Sequence, residues 1–288
     1  MKVTKALEPL VPLCQRLLPG RLTGLSMALL KATALELAIL AGHIVLYPTG
    51  ITQERRSPTQ ATPLPDGTAQ LPATPDPPVV LLHGFIDNRS VFVLLRRNLA
   101  QHGRQRVESL NYSPLTRDIR TAAELLARHI EEICERTGSP QVDIVGHSLG
   151  GLIARYYVQR LAGDLRVRTL VTLGTPHSGT RVLPLANAHP IVRQLRPGSQ
   201  VLEELAGPAP GCRTRFFCFW SDLDALMDEP ETARIDHPDL MAQNIQVMGI
   251  GHLALPVHPA VAAGIRDALD SEHPEVEVAR PAGGLTVA

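Results

Sequence analysis

What this 288-residue chain lacks narrows its reading before any motif does. It has no excess of either charge, since 28 Lys and Arg balance 28 Asp and Glu. A neutral chain has no whole-molecule field to gather nucleic acid or steer a charged substrate, so nucleic-acid binding is not expected. It has only four cysteines, Cys14, Cys134, Cys212 and Cys218. These form no disulfide framework, and no CxxC spacing suggests zinc. Cys212 and Cys218 could pair across a turn. Two buried thiols, with Cys218 inside the strand-like RFFCFW, are the preferred reading. Internal repeats are absent as well, which leaves one α/β domain of 200 or more residues plus appendages as the default for this length.

A long apolar run free of charge is also missing. Residues 29–48, LLKATALELAILAGHIVLYP, come nearest, but Lys31, Glu36 and His43 interrupt them. What remains beyond Leu37 falls short of the ~20 residues of a comfortable span. A signal peptide fits less well, because the run begins far from Met1 and no small-residue cleavage site follows it. Lys2, Lys5, Arg16, Arg21 and Lys31 precede its core. Under the positive-inside tendency that pattern keeps the amino terminus cytoplasmic and sets the rest in the envelope, facing the periplasm or exterior. The expectation is membrane association through residues 29–48, with a span as its form. The alternative is an amphipathic helix packed on the domain or lying on a lipid surface, or a cytoplasmic protein.

The chain divides into an apolar segment (1–47), a linker (48–78), a main domain (79–272) and a frayed tail (273–288). The linker is dense in Pro, Thr, Gln and Ala and reads as extended and solvated. From Val79 onward strands alternate with helices. PVVLLHG, RVESLNY, QVDIVGHS, VRTLVTLGTP, TRFFCFWS and NIQVMGIG read as strands. Between or after them, NRSVFVLLRRNLAQHG, TRDIRTAAELLARHIEEICERTG, GGLIARYYVQRLAG and PAVAAGIRDALDSE read as helices. Ala122, Leu125, Leu126, Ile130, Ile133 and Cys134 share one face of the second helix, which Gly138 stops. The alternation predicts a mostly parallel sheet with helices on both faces.

One pentapeptide carries chemistry. Gly146-His147-Ser148-Leu149-Gly150 follows the apolar VDIV and precedes GLIARYY. A GxSxG at a strand-to-helix turn lifts a serine hydroxyl above the carboxyl edge of a sheet, the context of a nucleophile. A serine needs a base, and its tetrahedral oxyanion needs donors. LLHGF ends an upstream strand, making the N–H of Phe85 one donor, and the N–H of Leu149 at the helix start is the second. His83 reads as an organiser of that loop. The base must be a histidine that follows an acid, each at the end of a later strand. His252 in VMGIGHLALP meets this condition. His177 in GTPHSGT precedes the acids, while His237 and His258 each precede a proline or follow no strand. The acid belongs after FFCFW, where SDLD offers Asp222 and Asp224, and spacing alone does not choose between them.

Together HGF, GHSLGG, TLGTPHSGT, FWSDLDALM and GIGHLAL resemble the bacterial triacylglycerol lipases and esterases of the α/β-hydrolase superfamily. The likeness covers most of residues 78–269, with five motifs in family order. It implies an α/β-hydrolase fold and a small cap within residues 177–211. In the small lipases of this group the stretch before the acid ends Ser-x-x-Asp, which implies Asp224 as the acid. Calcium, held by aspartates near the histidine of some larger lipases, is not implied, because Leu253 and Ala254 follow His252 and no paired aspartates stand nearby. No metal and no cofactor is needed. The resemblance implies ester hydrolysis through an acyl-enzyme, with acylglycerols or other lipid esters as substrates. It leaves as alternatives a short-chain carboxylesterase, a phospholipase or acyltransferase on membrane lipid, and, from another class, a catalytically silent membrane-anchored interaction module. The first 78 residues are outside its reach.

Overall fold

The computed structural model describes residues 27–51, 76–85, 87–112, 117–182 and 189–271. The greater part of the expected linker, the expected tail and part of the expected cap lie outside the described residues. Six strands form one sheet in the order β2-β1-β3-β4-β5-β6: β1 Val79–Leu82, β2 Val107–Leu110, β3 Val142–His147, β4 Val167–Leu173, β5 Arg215–Ser221 and β6 Met241–Val247. All five pairings are parallel. The sixth strand begins ahead of the expected NIQVMGIG and ends at Val247, leaving MGIG to form the turn that leads to His252.

Helix α1 spans Met27–Ile51, α2 Val93–Gln101, α3 Ile119–Thr137, α4 Leu149–Arg160, α5 Pro190–Gln194, α6 Gln200–Ala206 and α7 Pro259–Asp270. They start and stop on local chemistry. The Asp118 carboxylate accepts from the first amides of α3, at Arg120 and Thr121, and Gly138 ends that helix at φ 68°. The carboxylate meets amides that lack intrahelical acceptors, and glycine tolerates the left-handed turn.

Strand side chains sort by parity, as the two-residue period of a strand demands. Val80, Leu82, Val142, Ile144, Leu170, Phe216 and Cys218 face one core, shared with α3, α4, α5 and α6. Val79, Leu81, Val145, Val171, Leu173 and Phe219 face the other, shared with α2 and α7. Both faces of the sheet are therefore covered, which explains why β1 and β3 are buried along their whole length. At the amino-terminal edge, Asp143 is fully buried and paired with Arg168 at 3.0 and 2.6 Å. Arg104 and Arg168 also donate to the Leu269 carbonyl in the last turn of α7. Cys134, Cys212 and Cys218 are free thiols.

Strand order reverses direction between β1 and β3: from β1 the chain moves outward to β2, then returns to β3 and continues the other way. At such a switch point the loops leaving the carboxyl ends of the two strands diverge and open a crevice. Leu82 and Gly146 are register partners at that end, so the HGF loop and the GxSxG turn emerge side by side.

Helix α1 lies against this domain, and it runs three residues beyond Pro48, where the sequence reading begins the linker. Side chains from the main domain hold its last carbonyls: Asn88 Nδ2 donates to Tyr47 O at 2.9 Å, Arg89 to Thr49 O, and Asn111 Nδ2 to Gly50 O at 2.5 Å. These contacts satisfy carbonyls of the last helical turn, which lack partners within the helix.

Truncating the two-sided core should be costly. Ile144→Ala, at a fully buried position of β3, is expected to lower unfolding free energy by about 2–5 kcal/mol, read from the shift of a urea unfolding midpoint at constant slope.

Candidate active site

Ser148 sits between β3 and α4 at φ 53°, ψ −120°, a backbone conformation that a non-glycine residue seldom adopts. The turn is pinned on both sides. Ser148 N donates to Leu173 O at 2.9 Å, while Ser148 O accepts from Gly151 N at 3.1 Å and from Thr175 Oγ1 at 2.9 Å. The flanking glycines are steric necessities: a Cβ on Gly146 would stand 2.5 Å from Gly151 Cα, and one on Gly150 would stand 2.4 Å from Leu82 O. The helix start can approach β1 only because nothing projects there.

The HGF loop lies beside this turn. A Cβ on Gly84 would be 3.4 Å from Ser148 Cβ, so the backbone continuing into Phe85 borders the serine. His83 stacks on Tyr112, with centroids 4.2 Å apart, and its Nδ1 is 2.9 Å from Gly84 O. The Tyr112 hydroxyl donates to His83 O and Gly84 O. His83 is thus tied into the loop's own structure. Leu149 opens α4, where first-turn amides have no acceptor within the helix and the helix dipole favours negative charge.

Asp224 and His252 meet at the same edge. His252 Nδ1 and Asp224 Oδ2 are 2.7 Å apart, and both side chains are almost completely buried. Asp224 Oδ1 accepts from Leu226 N at 3.0 Å, which fixes the carboxylate in its turn. The pair lies against the end of β4, because a Cβ on Gly174 would come within 3.0 Å of both Asp224 Oδ2 and His252 Nδ1. Burial is the largest single influence and disfavours charge on His252, but the charge and hydrogen bond of Asp224, with the Glu36 and Asp87 carboxylates, together hold the imidazole above the ordinary histidine range.

The competing residues go elsewhere. Asp222 is exposed, and its Oδ1 accepts from Gly249 N at 2.9 Å in the turn after β6. His177 is buried with Nε2 3.0 Å from Thr172 Oγ1, and burial, then the Arg155 guanidinium, holds its pKa well below the ordinary value. His237 bonds to Gly207 O, and His258 caps the start of α7 without a side-chain bond.

Four polar residues around the site escape a reading by motif. His147, only a variable position in the pentapeptide, is buried, donates from Nε2 to His252 O at 3.2 Å and packs its ring 4.7 Å from that of His252. Asp87 lies 3.7 Å from His147 Nδ1. From α1, Glu36 reaches the loop after His252, and the buried His43 carries electrostatic coupling to Asp87 and His147. Nothing local marks Asp87. Glu36 and His43 do leave a trace, since they stand seven residues, two helical turns, apart in an otherwise apolar run.

A parallel sheet with a strained serine at the β3–α4 turn and a buried Asp–His pair on the loops after later strands is the arrangement of the α/β-hydrolase fold. The chain has the α/β-hydrolase fold, and parts of it are similar in sequence to that family and to bacterial triacylglycerol lipases. A family model for the alpha/beta hydrolase fold matches residues 77–205. A triacylglycerol lipase of Pseudarthrobacter phenanthrenivorans is 32% identical over 111 residues, covering 36% of this chain and 34% of that protein. One of Vibrio cholerae is 31% identical over 134 residues, covering 45% and 40%. The alignments thus span well under half of the curated relatives' length. Among solved structures, Aspergillus fumigatus lipase B superposes with a TM-score of 0.61 at 18% identity, covering 69% of this chain and 53% of that one. Mature Bacillus licheniformis lipase BlEst2 gives 0.56 at 18%, covering 71% and 96%. At such identities these two speak for the fold alone.

The carboxylate's hold on His252 has a testable sign. His252 is expected to titrate above 6.5 in the intact protein. In Asp224→Asn the principal raising charge is gone, only the smaller contributions of Glu36 and Asp87 oppose burial, and the midpoint falls. The imidazole proton shifts followed by NMR across pH read this directly, and an unmoved midpoint would refute the coupling.

Proposed function

We propose that the chain is a serine-dependent carboxylic ester hydrolase that acts on acylglycerols through an acyl-enzyme. One observation carries this reading: the buried 2.7 Å Asp224–His252 pair stands at the sheet edge where Ser148 occupies its strained turn. In this reading His252 takes the Ser148 proton as the hydroxyl attacks the ester carbonyl. Asp224 holds the imidazole by Nδ1 and stabilises its charged form. The N–H groups of Phe85 and Leu149 receive the oxyanion, and His252 returns the proton to the departing alcohol. Water then repeats the sequence on the acyl group. The lipase relatives support an ester substrate.

The choice of a lipid ester rests on α1. Its described residues include a helix long and apolar enough, by length and composition, to cross a membrane. Leu37, Ile44 and Val45 are more than 60% exposed on its outer side. Its inner side is Ala32, Glu36, Ile39, His43, Tyr47 and Gly50, spaced as one helical face and turned to the main domain. Glu36 and His43 look inward and the large apolar Leu37, Ile44 and Val45 outward, while Lys31, Thr33 and Thr49 are the exposed polar members of the helix. That polarity favours a helix that lies in a lipid surface while it grips the domain, and brings the active site to lipid. It also keeps a phospholipase reading open, since the same surface would present phospholipid to Ser148.

Ser148→Ala should abolish ester hydrolysis and labelling by a fluorophosphonate, and surviving label would move the nucleophile elsewhere. Asp224→Asn should cost about two to four orders of magnitude in kcat/KM on a soluble ester, with Asp222→Asn near the parent enzyme. A chain-length series of nitrophenyl esters, with and without an emulsified interface, is expected to favour long chains at the interface. A profile confined to short soluble esters would make the protein a carboxylesterase, and phospholipid vesicles test the remaining activity. The full chain should float with lipid vesicles. Replacing Leu37, Ile44 and Val45 together by Asp should cut partition at least about tenfold, and unchanged flotation would remove α1 as the contact.

A further inference from the structure

We propose that Glu36 of α1 is a positioning residue for His252: its carboxylate clamps the loop that presents the imidazole, so the site is complete only with this helix seated. The inference deepens the reading above and rests on His252 being the base. The Glu36 carboxylate divides its two oxygens between two consecutive amides. Oε2 accepts from Leu253 N at 3.0 Å and Oε1 from Ala254 N at 2.9 Å. Past this point the loop closes on itself, with Leu255 N donating to His252 O and both Val257 N and His258 N donating to Ala254 O. Leu253 and Ala254 thus hold the opening amides of a run of turns, the groups that have no acceptor within it. A capping side chain normally supplies that acceptor from the adjacent residue. Here it comes from 217 residues away in sequence.

The fit is close. A Cβ on Gly251 would stand 2.5 Å from Glu36 Cδ, so the residue before His252 has to be glycine for the carboxylate to seat. Hydrogen bonds to a charged acceptor are the stronger kind, and these two act on backbone within two residues of the imidazole. The groups facing His252 are Asp224 from the loop after β5, Glu36 from α1, Asp87 from the loop after β1 and His147 from β3. Glu36 therefore bears on His252 in two ways, by fixing its backbone and by adding negative charge beside it.

Full-length Glu36→Ala, Glu36→Gln and Gly251→Ala test the proposal on a soluble nitrophenyl ester, with His252 titrated by NMR in parallel. Glu36→Ala is expected to lower kcat about 10- to 100-fold with KM within about twofold. Glu36→Gln keeps one acceptor oxygen and should recover part of kcat. It lacks the charge, so its acid limb and the His252 midpoint should both move to lower pH. Gly251→Ala should reproduce the kcat loss, and combining it with Glu36→Ala should add little, because both remove the same clamp. Parental kcat and an unmoved His252 midpoint in Glu36→Ala would overturn the proposal. A kcat loss without any movement of that midpoint in either Glu36 variant would do the same, by reducing Glu36 to a docking contact. If the parent protein hydrolyses no ester yet its His252 midpoint still falls in Glu36→Gln, the clamp stands and the hydrolase reading fails.

Discussion

The backbone of Ser148 is held where a serine does not settle by itself, and most of the carboxyl edge of the sheet is arranged around keeping it there. A residue in such a conformation costs on the order of 1–3 kcal/mol. The offset comes from the amide bonded to Leu173, the carbonyl bonded to Gly151 and Thr175, and the bare glycine backbones that let α4 close on β1. Those contacts exist because β1, β3 and β4 are adjacent, so strand order itself supports the turn. The buried networks elsewhere serve the same end at a distance. Arg104 and Arg168 fasten the last turn of α7 to the amino-terminal edge, leaving the loop that precedes α7 free to carry His252 at the other edge.

Most of this order was legible in the sequence, for identifiable reasons. The strands leading to His83, Ser148 and Asp224 are short, mostly apolar runs ending in glycine or polar residues, a pattern with few other meanings, whereas β6 before His252 is nearly half polar, with Gln243, Asn244 and Gln246. The helices announce themselves by periodicity and stops, as α3 does with Asp118 and Gly138. Choosing between Asp222 and Asp224 was different. Both stand in one tetrapeptide, where spacing does not choose and only the family's Ser-x-x-Asp pattern pointed to Asp224; in the structure Asp224 is buried against His252 and Asp222 is exposed and bonded to Gly249. His147 and Asp87 were illegible as partners, because their closeness depends on the register of β1 with β3 and on a loop, neither of which a linear pattern encodes.

Residues 29–48 were expected to associate with a membrane, and the interruptions that weighed against this acquire a second meaning in the structure. Glu36 and His43 lower the apolar score of the run, which makes it look like a poor membrane segment. Their spacing places both on one face, where the main domain receives them, so the outward side is more apolar than the average of the stretch. Averaging over a helix discards the angular information that decides its role. Pro48 is a similar case. The helix continues through it to Ile51, where Asn88, Arg89 and Asn111 hold the carbonyls of the last turn.

The inward carboxylate of α1 also bears on how the protein is handled in the laboratory. Apolar amino-terminal segments are routinely cut away to gain soluble material. Here a cut anywhere between Glu36 and Val79 would remove none of the six strands and would strip the acceptor from the amides of Leu253 and Ala254. Such a fragment would look intact by size and secondary structure. If Glu36 positions His252 as proposed, low turnover in such a fragment would report the lost clamp and not the choice of substrate.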